Sequence, residues 1–430
     1  DLGITLDQVS LFTCAGSLAT NGMDRDISLT NVGQALDLGT VTTTAGGDLV
    51  VEADVGDITD SGVITATGTS SFTTTQADAD ITLDQVSFFT GAVSLATNGA
   101  NGDISITNVG QALDLGAVTT TLGGDLIVET DAGDITDSGT LIVSGDASFT
   151  TTTANSDIDL GGLAVTGAID VNTNGATGNA TLVNTIAVNL AASDVGGDLD
   201  VTATTGSITQ AGALTVAGAS TFNTIVSNSD IILDQQTNDF AGAVTLQANS
   251  GNGTFGDITF VDRGGVNLAA NAAAAGNLFI DAVTDGAVGG KLIVTATTGA
   301  ITDNVVLNVT GTSSFTTTQA DMDITLDQVS LFTGAVSLAT NGMDGDISIT
   351  NVGQTLDLST VTTTAGGDLV VEADAGDITD SGVITATGTS SFTTTQADMD
   401  ITLDQVSLFT GAVSLATNGM GLVNTSTTAG

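Results

Sequence analysis

Short runs of alternating apolar and polar residues, set off by Gly, Asn and Asp, cover almost the whole chain. Between residues 324 and 400 they include Ala335-Val336-Ser337-Leu338-Ala339-Thr340, Asp346-Ile347-Ser348-Ile349-Thr350 and Asp368-Leu369-Val370-Val371-Glu372. A period of two in Val, Ile, Leu and Thr, bounded by turn residues, predicts strands. No window carries a useful helical stripe, and the density of Gly and Thr works against helix.

The predicted strands sort into triplets: 335–340, 346–350 and 356–358; then 360–364, 368–372 and 377–380; then 383–387, 391–395 and 400–404. Core positions Ile347, Leu369 and Phe392 are 22 and 23 residues apart, and 32 more lead to the same place in the next unit. The surplus lies in Asp404-Gln405-Val406-Ser407-Leu408-Phe409, which reads as a loop or a short additional strand. Three strands per turn predict an all-β, right-handed parallel β-helix (a β-solenoid), with backbone groups pairing along the axis. Apolar side chains would stack inside it as ladders, with Thr, Ser and Asp outside.

The pattern repeats with a period of 77 residues. Residues 4–80 reappear as 324–400 with eight differences, and 81–157 form a third close copy. Looser copies occupy 158–230 and 231–323, and a partial one runs from 401 to 430. Such repetition predicts one continuous solenoid over 1–430, with about three coils per repeat. About 17 coils at about 4.8 Å each would make a rod on the order of 80 Å long. An array of small β-sandwiches is the alternative, but the units are short for it and lack Trp and Tyr.

Composition narrows the function. With 41% hydrophobic residues the chain can bury a core, so disorder is excluded. The net charge of −46 comes from 49 acidic residues against Arg25, Arg263 and Lys291. That excludes nucleic acid as a partner and disfavours anionic lipid surfaces. The negative field calls for counterions, and surface Asp would also keep a long β protein soluble. No apolar run of about 18 residues is present, so no insertion into a membrane is expected. The single cysteine, Cys14, stands where other copies have Gly91, Gly334 and Gly411.

The cadence Gly47-Asp48-Leu49-Val50-Val51, Gly56-Asp57-Ile58-Thr59-Asp60-Ser61-Gly62 and Thr69-Ser70-Ser71-Phe72-Thr73 resembles the repeat regions of large bacterial surface proteins. These are the filamentous-haemagglutinin-like adhesins and related giant β-strand-repeat proteins. The resemblance covers essentially the whole chain. It implies a secreted or cell-surface rod of right-handed β-helix, acting in adhesion, matrix or filament formation.

Reactive constellations are hard to find. Lyase chemistry on a β-helix needs clustered basic residues, and this chain has three isolated ones. Paired carboxylates recur at turn positions in several copies, and the aromatic platforms that hold sugars are missing. The reading is non-enzymatic. Calcium is the sharper chemical hypothesis, because stacked Asp turns supply the oxygen ligands it prefers. Candidate ligands are Asp346 with Asp368, and Asp374, Asp377 and Asp380. A calcium-stabilised matrix or surface-layer component is therefore an alternative function.

The fourth unit, at 93 residues, departs most from the pattern and is where recognition of a surface glycan would be grafted. Across 240–291 it holds Phe240, Phe255, Phe260, Phe279, Arg263 and Lys291, of which Phe240, Phe255, Phe260 and Arg263 are candidate ligand contacts. The chain starts Asp1-Leu2, and its final Thr427-Thr428-Ala429-Gly430 resembles the stretch that precedes Gly-Asp-Leu inside a repeat. This predicts either head-to-tail self-association into a filament or continuation into the rest of a longer chain.

Overall fold

The computed structural model describes residues 3–248, 256–264, 266–268, 277–280, 291–303, 306–309 and 311–427. They contain no helix, and their strands pair in parallel, coil upon coil, as a β-solenoid. That disposes of the β-sandwich array. Two compact units are present, Asp1–Thr204 and Thr205–Gly430.

In the first unit each coil crosses between two sides. On one side Ile27, Leu49, Ser70 and Val93 stack in register, at intervals of 22, 21 and 23 residues. On the other, Leu36 stacks on Ile58, Ile58 on Ile81 and Ile81 on Ile104. A traverse takes one of two shapes. Straight ones are a single short strand, such as Leu49–Ala53. Bent ones are a longer strand, such as Leu36–Thr42, whose two halves pair separately with Ile58–Asp60 and Ile64–Ala66. A straight and a bent traverse together give the three strands per turn that the spacing predicts.

One repeat contains seven traverses: Ile4–Ser10, Gly16–Ala19, Ile27–Asn31, Leu36–Thr42, Leu49–Ala53, the pair Ile58–Asp60 and Ile64–Ala66, and Ser70–Ala77. The expected three coils are there, with half a coil more. The surplus segment 404–409 is the reason, since it is strand and closes Ile401–Phe409 as a bent traverse. Seven is odd, so consecutive repeats present the same sequence on opposite sides. Ile4–Ser10 pairs with Ile27–Asn31 on one side, while its copy Ile81–Phe89 pairs with Ile104–Asn108 on the other. The second unit follows the same rule, with Ile324–Phe332 and Ile401–Phe409 in different stacks.

The core follows from period-two alternation. In Leu126–Thr130 the first, third and fifth side chains are buried and the others face out. Phe72, Phe149, Phe222, Phe315 and Phe392 are fully buried at equivalent places. Phe72, Phe315 and Phe392 meet Phe89, Phe332 and Phe409 edge to face at 5.9, 6.0 and 5.9 Å. Each buried Leu, Ile or Phe contributes about 1.5–3 kcal/mol. Turns are tight enough to demand glycine in places. A Cβ on Gly91 would sit 2.3 Å from the Gly68 carbonyl oxygen of the previous coil, and one on Gly411 would sit 1.9 Å from that of Gly388.

The fourth repeat keeps the rule and takes up its added residues in two successive coils, the first of which stacks Ile231 on Ile258, 27 positions later. Ile258 stacks on Leu292, 34 positions later, and Val266 on Ile301.

Candidate functional site

The acidic residues are organised by the coil period. An Asp commonly occupies the position just before a strand, where its short side chain reaches the backbone of the next coil. In the first unit, Asp57, Asp80, Asp103, Asp125 and Asp146 form one ladder. The Oδ1 of each accepts the N–H of the next, at 3.0, 2.9, 2.8 and 2.7 Å. In the second unit, Asp346 donates to Asp323 at 2.9 Å and Asp368 donates to Asp346 at 2.7 Å. These are charge-assisted bonds, stronger than neutral ones. Much of the charge thus ties consecutive coils together.

The candidate calcium ligands are distributed accordingly. Asp346 and Asp368 are neighbouring rungs of one ladder. Asp377 is a rung of another, accepting the N–H of Asp400 at 2.8 Å. Asp374 donates its N–H to the Asn351 carbonyl, and one of its carboxylate oxygens is buried without a partner. Asp380 is 6% exposed, at the corner of a bent traverse. The five do not converge. Among the described residues no three acidic, His or Cys side chains are grouped so as to hold a metal ion.

Asp380 belongs to a set of corner carboxylates whose burial the sequence pattern did not reveal. Asp60 accepts the N–H groups of Asp84 and Gln85 at 3.0 and 3.4 Å and the Ser87 hydroxyl at 3.2 Å. Asp303 accepts the same three groups from Asp327, Gln328 and Ser330 at 3.1, 3.5 and 3.3 Å. Burial raises the pKa of Asp60, Asp303 and Asp380 above the usual carboxylate value, to about 6 for Asp303. Between the third and fourth repeats the carboxylate–hydroxyl pair is replaced by Gln210 and Asn238, whose amides exchange bonds of 2.8 and 2.9 Å. The signal in the sequence was this paired change, Asp with Ser against Gln with Asn, at a separation of just over one coil.

A second unforeseen set is the corner asparagines. Asn31, Asn108, Asn184 and Asn351 end straight traverses and are fully buried. Their Oδ1 atoms accept the N–H of Phe12, Phe89, Val165 and Phe332 at 2.8–2.9 Å. Their Nδ2 atoms donate to main-chain carbonyls that include those of Ala35, Ala112, Ala187 and Gln354.

In the fourth repeat, Phe240 and Phe260 are 2% and 0% exposed. Their centroids lie 5.1 Å apart, and Phe222 meets Phe240 edge to face. They fill the core and offer no ring to a sugar. Phe255 lies outside the described residues. The Arg263 side chain is 57% exposed and pairs with Asp239. Near it a groove of about 390 Å³ is lined by Asp234, Gln236, Val261, Thr295, Thr297 and Thr318. Of the two ends, Asp1, Leu2 and 428–430 lie outside the described residues. Among the described residues no helix is long and apolar enough to cross a membrane.

Repetition at this period defines a repeat protein. A family model described as "Repeats of unknown function (DUF5649)" matches residues 24–96, 101–164, 177–247, 255–339 and 344–416. The chain belongs to that family. No curated protein and no solved structure matches it significantly.

Proposed function

We propose that this chain is a non-enzymatic structural segment of an extracellular surface adhesin or fibre, and that its solenoid acts as a spacer. The observation that carries the reading is the Asp ladder, in which carboxylates that could serve chemistry are engaged by the backbone of the next coil. Repetition adds to it, since near-identical units extend a scaffold without differentiating a site. Its partners are the rest of a longer chain or further copies joined head to tail. Protease shaving of intact cells that make the full-length protein tests the location. Release of fragments from this region supports the proposal, and protection until the cells are lysed opposes it.

A second reading, glycan recognition by the fourth repeat, rests on the polar groove lined by Asp234, Gln236, Thr295, Thr297 and Thr318. It uses hydroxyls and amides in place of aromatic rings. Glycan-array binding abolished by Thr297→Val would favour it over a pure spacer.

A further inference from the structure

Four strands run into a turn through the dipeptide Asn-Gly. Asn98, Asn174, Asn341 and Asn418 end Val93–Asn98, Ala168–Asn174, Val336–Asn341 and Val413–Asn418, and the glycine after each has a positive φ. The Nδ2 of each donates to a carbonyl one coil earlier, that of Thr75, Thr152, Thr318 or Thr395, at 2.7–2.9 Å. At two of them the side chain is also turned back on its own backbone. Gly99 donates its N–H to Asn98 Oδ1 at 3.0 Å, and Gly342 donates to Asn341 Oδ1 at 2.9 Å. The glycine nitrogen thus lies against the oxygen bonded to Cγ, the carbon with which it can close a five-membered ring. Both asparagines are exposed, and glycine puts no side chain over the turn. The Asp78 carboxylate accepts the N–H groups of Ala100 and Asn101, and that of Asp321 those of Met343 and Asp344, which holds the turn in place. The same dipeptide has another setting at Asn101-Gly102. Gly102 is buried, its carbonyl accepts the Thr97 hydroxyl at 2.7 Å, and among the described residues its N–H makes no bond to the Asn101 side chain.

We propose that Asn98 and Asn341 are self-modification sites, where the following glycine nitrogen displaces the side-chain amide and the product unties the turn from the coil before it. The glycine nitrogen gives its proton to a base in solvent and attacks Cγ. A C–N bond forms, the Cγ–Nδ2 bond breaks and ammonia leaves with a proton, which yields a succinimide. Water then adds to one of its two carbonyls and opens the ring to aspartate or to isoaspartate. Nothing is oxidised or reduced, and water is the sole co-reactant. A fixed turn that holds nucleophile and carbon together favours the first step. The carboxylate produced can only accept, so the bond to the Thr75 or Thr318 carbonyl is lost. Each event adds one negative charge, and isoaspartate also lengthens the main chain within the turn. These two turns are where the solenoid ages first.

The test ages the unaltered full chain at pH 7.5, folded and in denaturant, and follows each Asn-Gly site by peptide mapping that separates aspartate from isoaspartate. In the folded chain, conversion at 98 and 341 should run on the order of tenfold faster than at 101, with 174 and 418 slower than 98 and 341. In denaturant the sites should converge on one rate. Equal rates at 98, 101 and 341 in the folded chain overturn the proposal, because the dipeptide alone would then decide. Slower conversion at 98 and 341 in the folded chain than in denaturant also overturns it, because the fold would then protect them. The consequence is read with Asn98→Asp and by amide exchange at Asp78, whose N–H bonds the Asn98 carbonyl at 2.7 Å. Faster exchange there supports the untying, and unchanged exchange opposes it. Should that variant fail to fold, exchange at Asp78 and Asp321 in the aged chain gives the same reading.

Discussion

Asp368 donates its backbone N–H to the carboxylate of Asp346, one coil earlier, at 2.7 Å. Asp346 does the same to Asp323 at 2.9 Å. A side chain that looks like surplus surface charge is thus a tie between consecutive coils. Removing the acceptor should cost about 1–2 kcal/mol, whereas an amide oxygen can replace it. Asp346→Ala is expected to destabilise the chain and speed amide exchange at Asp368, while Asp346→Asn leaves both near their starting values. Denaturant unfolding with residue-resolved exchange measures the two together.

Phe392 is fully buried and meets Phe409 edge to face at 5.9 Å. Truncating a buried Phe leaves a cavity and costs about 3–5 kcal/mol. Because each coil contacts mainly its neighbours, the loss should stay local. Phe392→Ala is expected to raise exchange rates across 369–373 and 413–418 and leave the first unit unaffected.

Acid should stabilise this protein over part of the range in which many proteins weaken. Burial raises Asp303 from 3.8 to about 6, and Asp60 and Asp380 shift in the same direction. The folded chain then binds more protons than the unfolded one between these two values, so stability rises as pH falls from above 6 towards 4. Relief of the repulsion within a net charge of −46 acts the same way. Asp303→Asn should raise the unfolding midpoint at pH 7.5 and reduce its gain on acidification. Thermal scans at a series of pH values at constant ionic strength check both.

Two glycines at different positions of the repeat should respond differently. A Cβ at Gly91 would meet the Gly68 carbonyl oxygen at 2.3 Å, while at Gly16 the nearest atom is 3.8 Å away. Gly91→Ala is expected to destabilise by about 1–3 kcal/mol, as overpacking does, and Gly16→Ala by less. Val336, the counterpart of Gly16 in the fifth repeat, already carries a larger side chain there. Equilibrium unfolding of the two variants makes the comparison.

Strands and parallel stacking were legible because alternation of Ile, Val and Leu with Ser and Thr encodes them residue by residue. The half coil was not, because the side a traverse occupies depends on counting every traverse, and 404–409 could be loop or strand on its local pattern. The Asp ladders were partly legible: Asp346 and Asp368 were expected to stand in a row, but carboxylate-to-amide bonding depends on which backbone group lies one coil above. Corner residues such as Asn351 and Asp303 were invisible for a related reason, since burial is imposed by a bend in the coil. Phe240 and Phe260 were misleading as ligand contacts, because aromatic residues clustered in an irregular repeat read alike whether they fill a core or face a sugar.

We propose that the acidic residues act as ties between coils rather than as ion sites. Isothermal titration of the full chain with calcium, at physiological ionic strength and neutral pH, tests it most directly. No saturable binding is expected, and the same small stabilisation should follow from calcium, magnesium or added sodium chloride at matched ionic strength. Saturable calcium binding at a fixed stoichiometry, lost when Asp346 and Asp368 are changed to Asn, would contradict it.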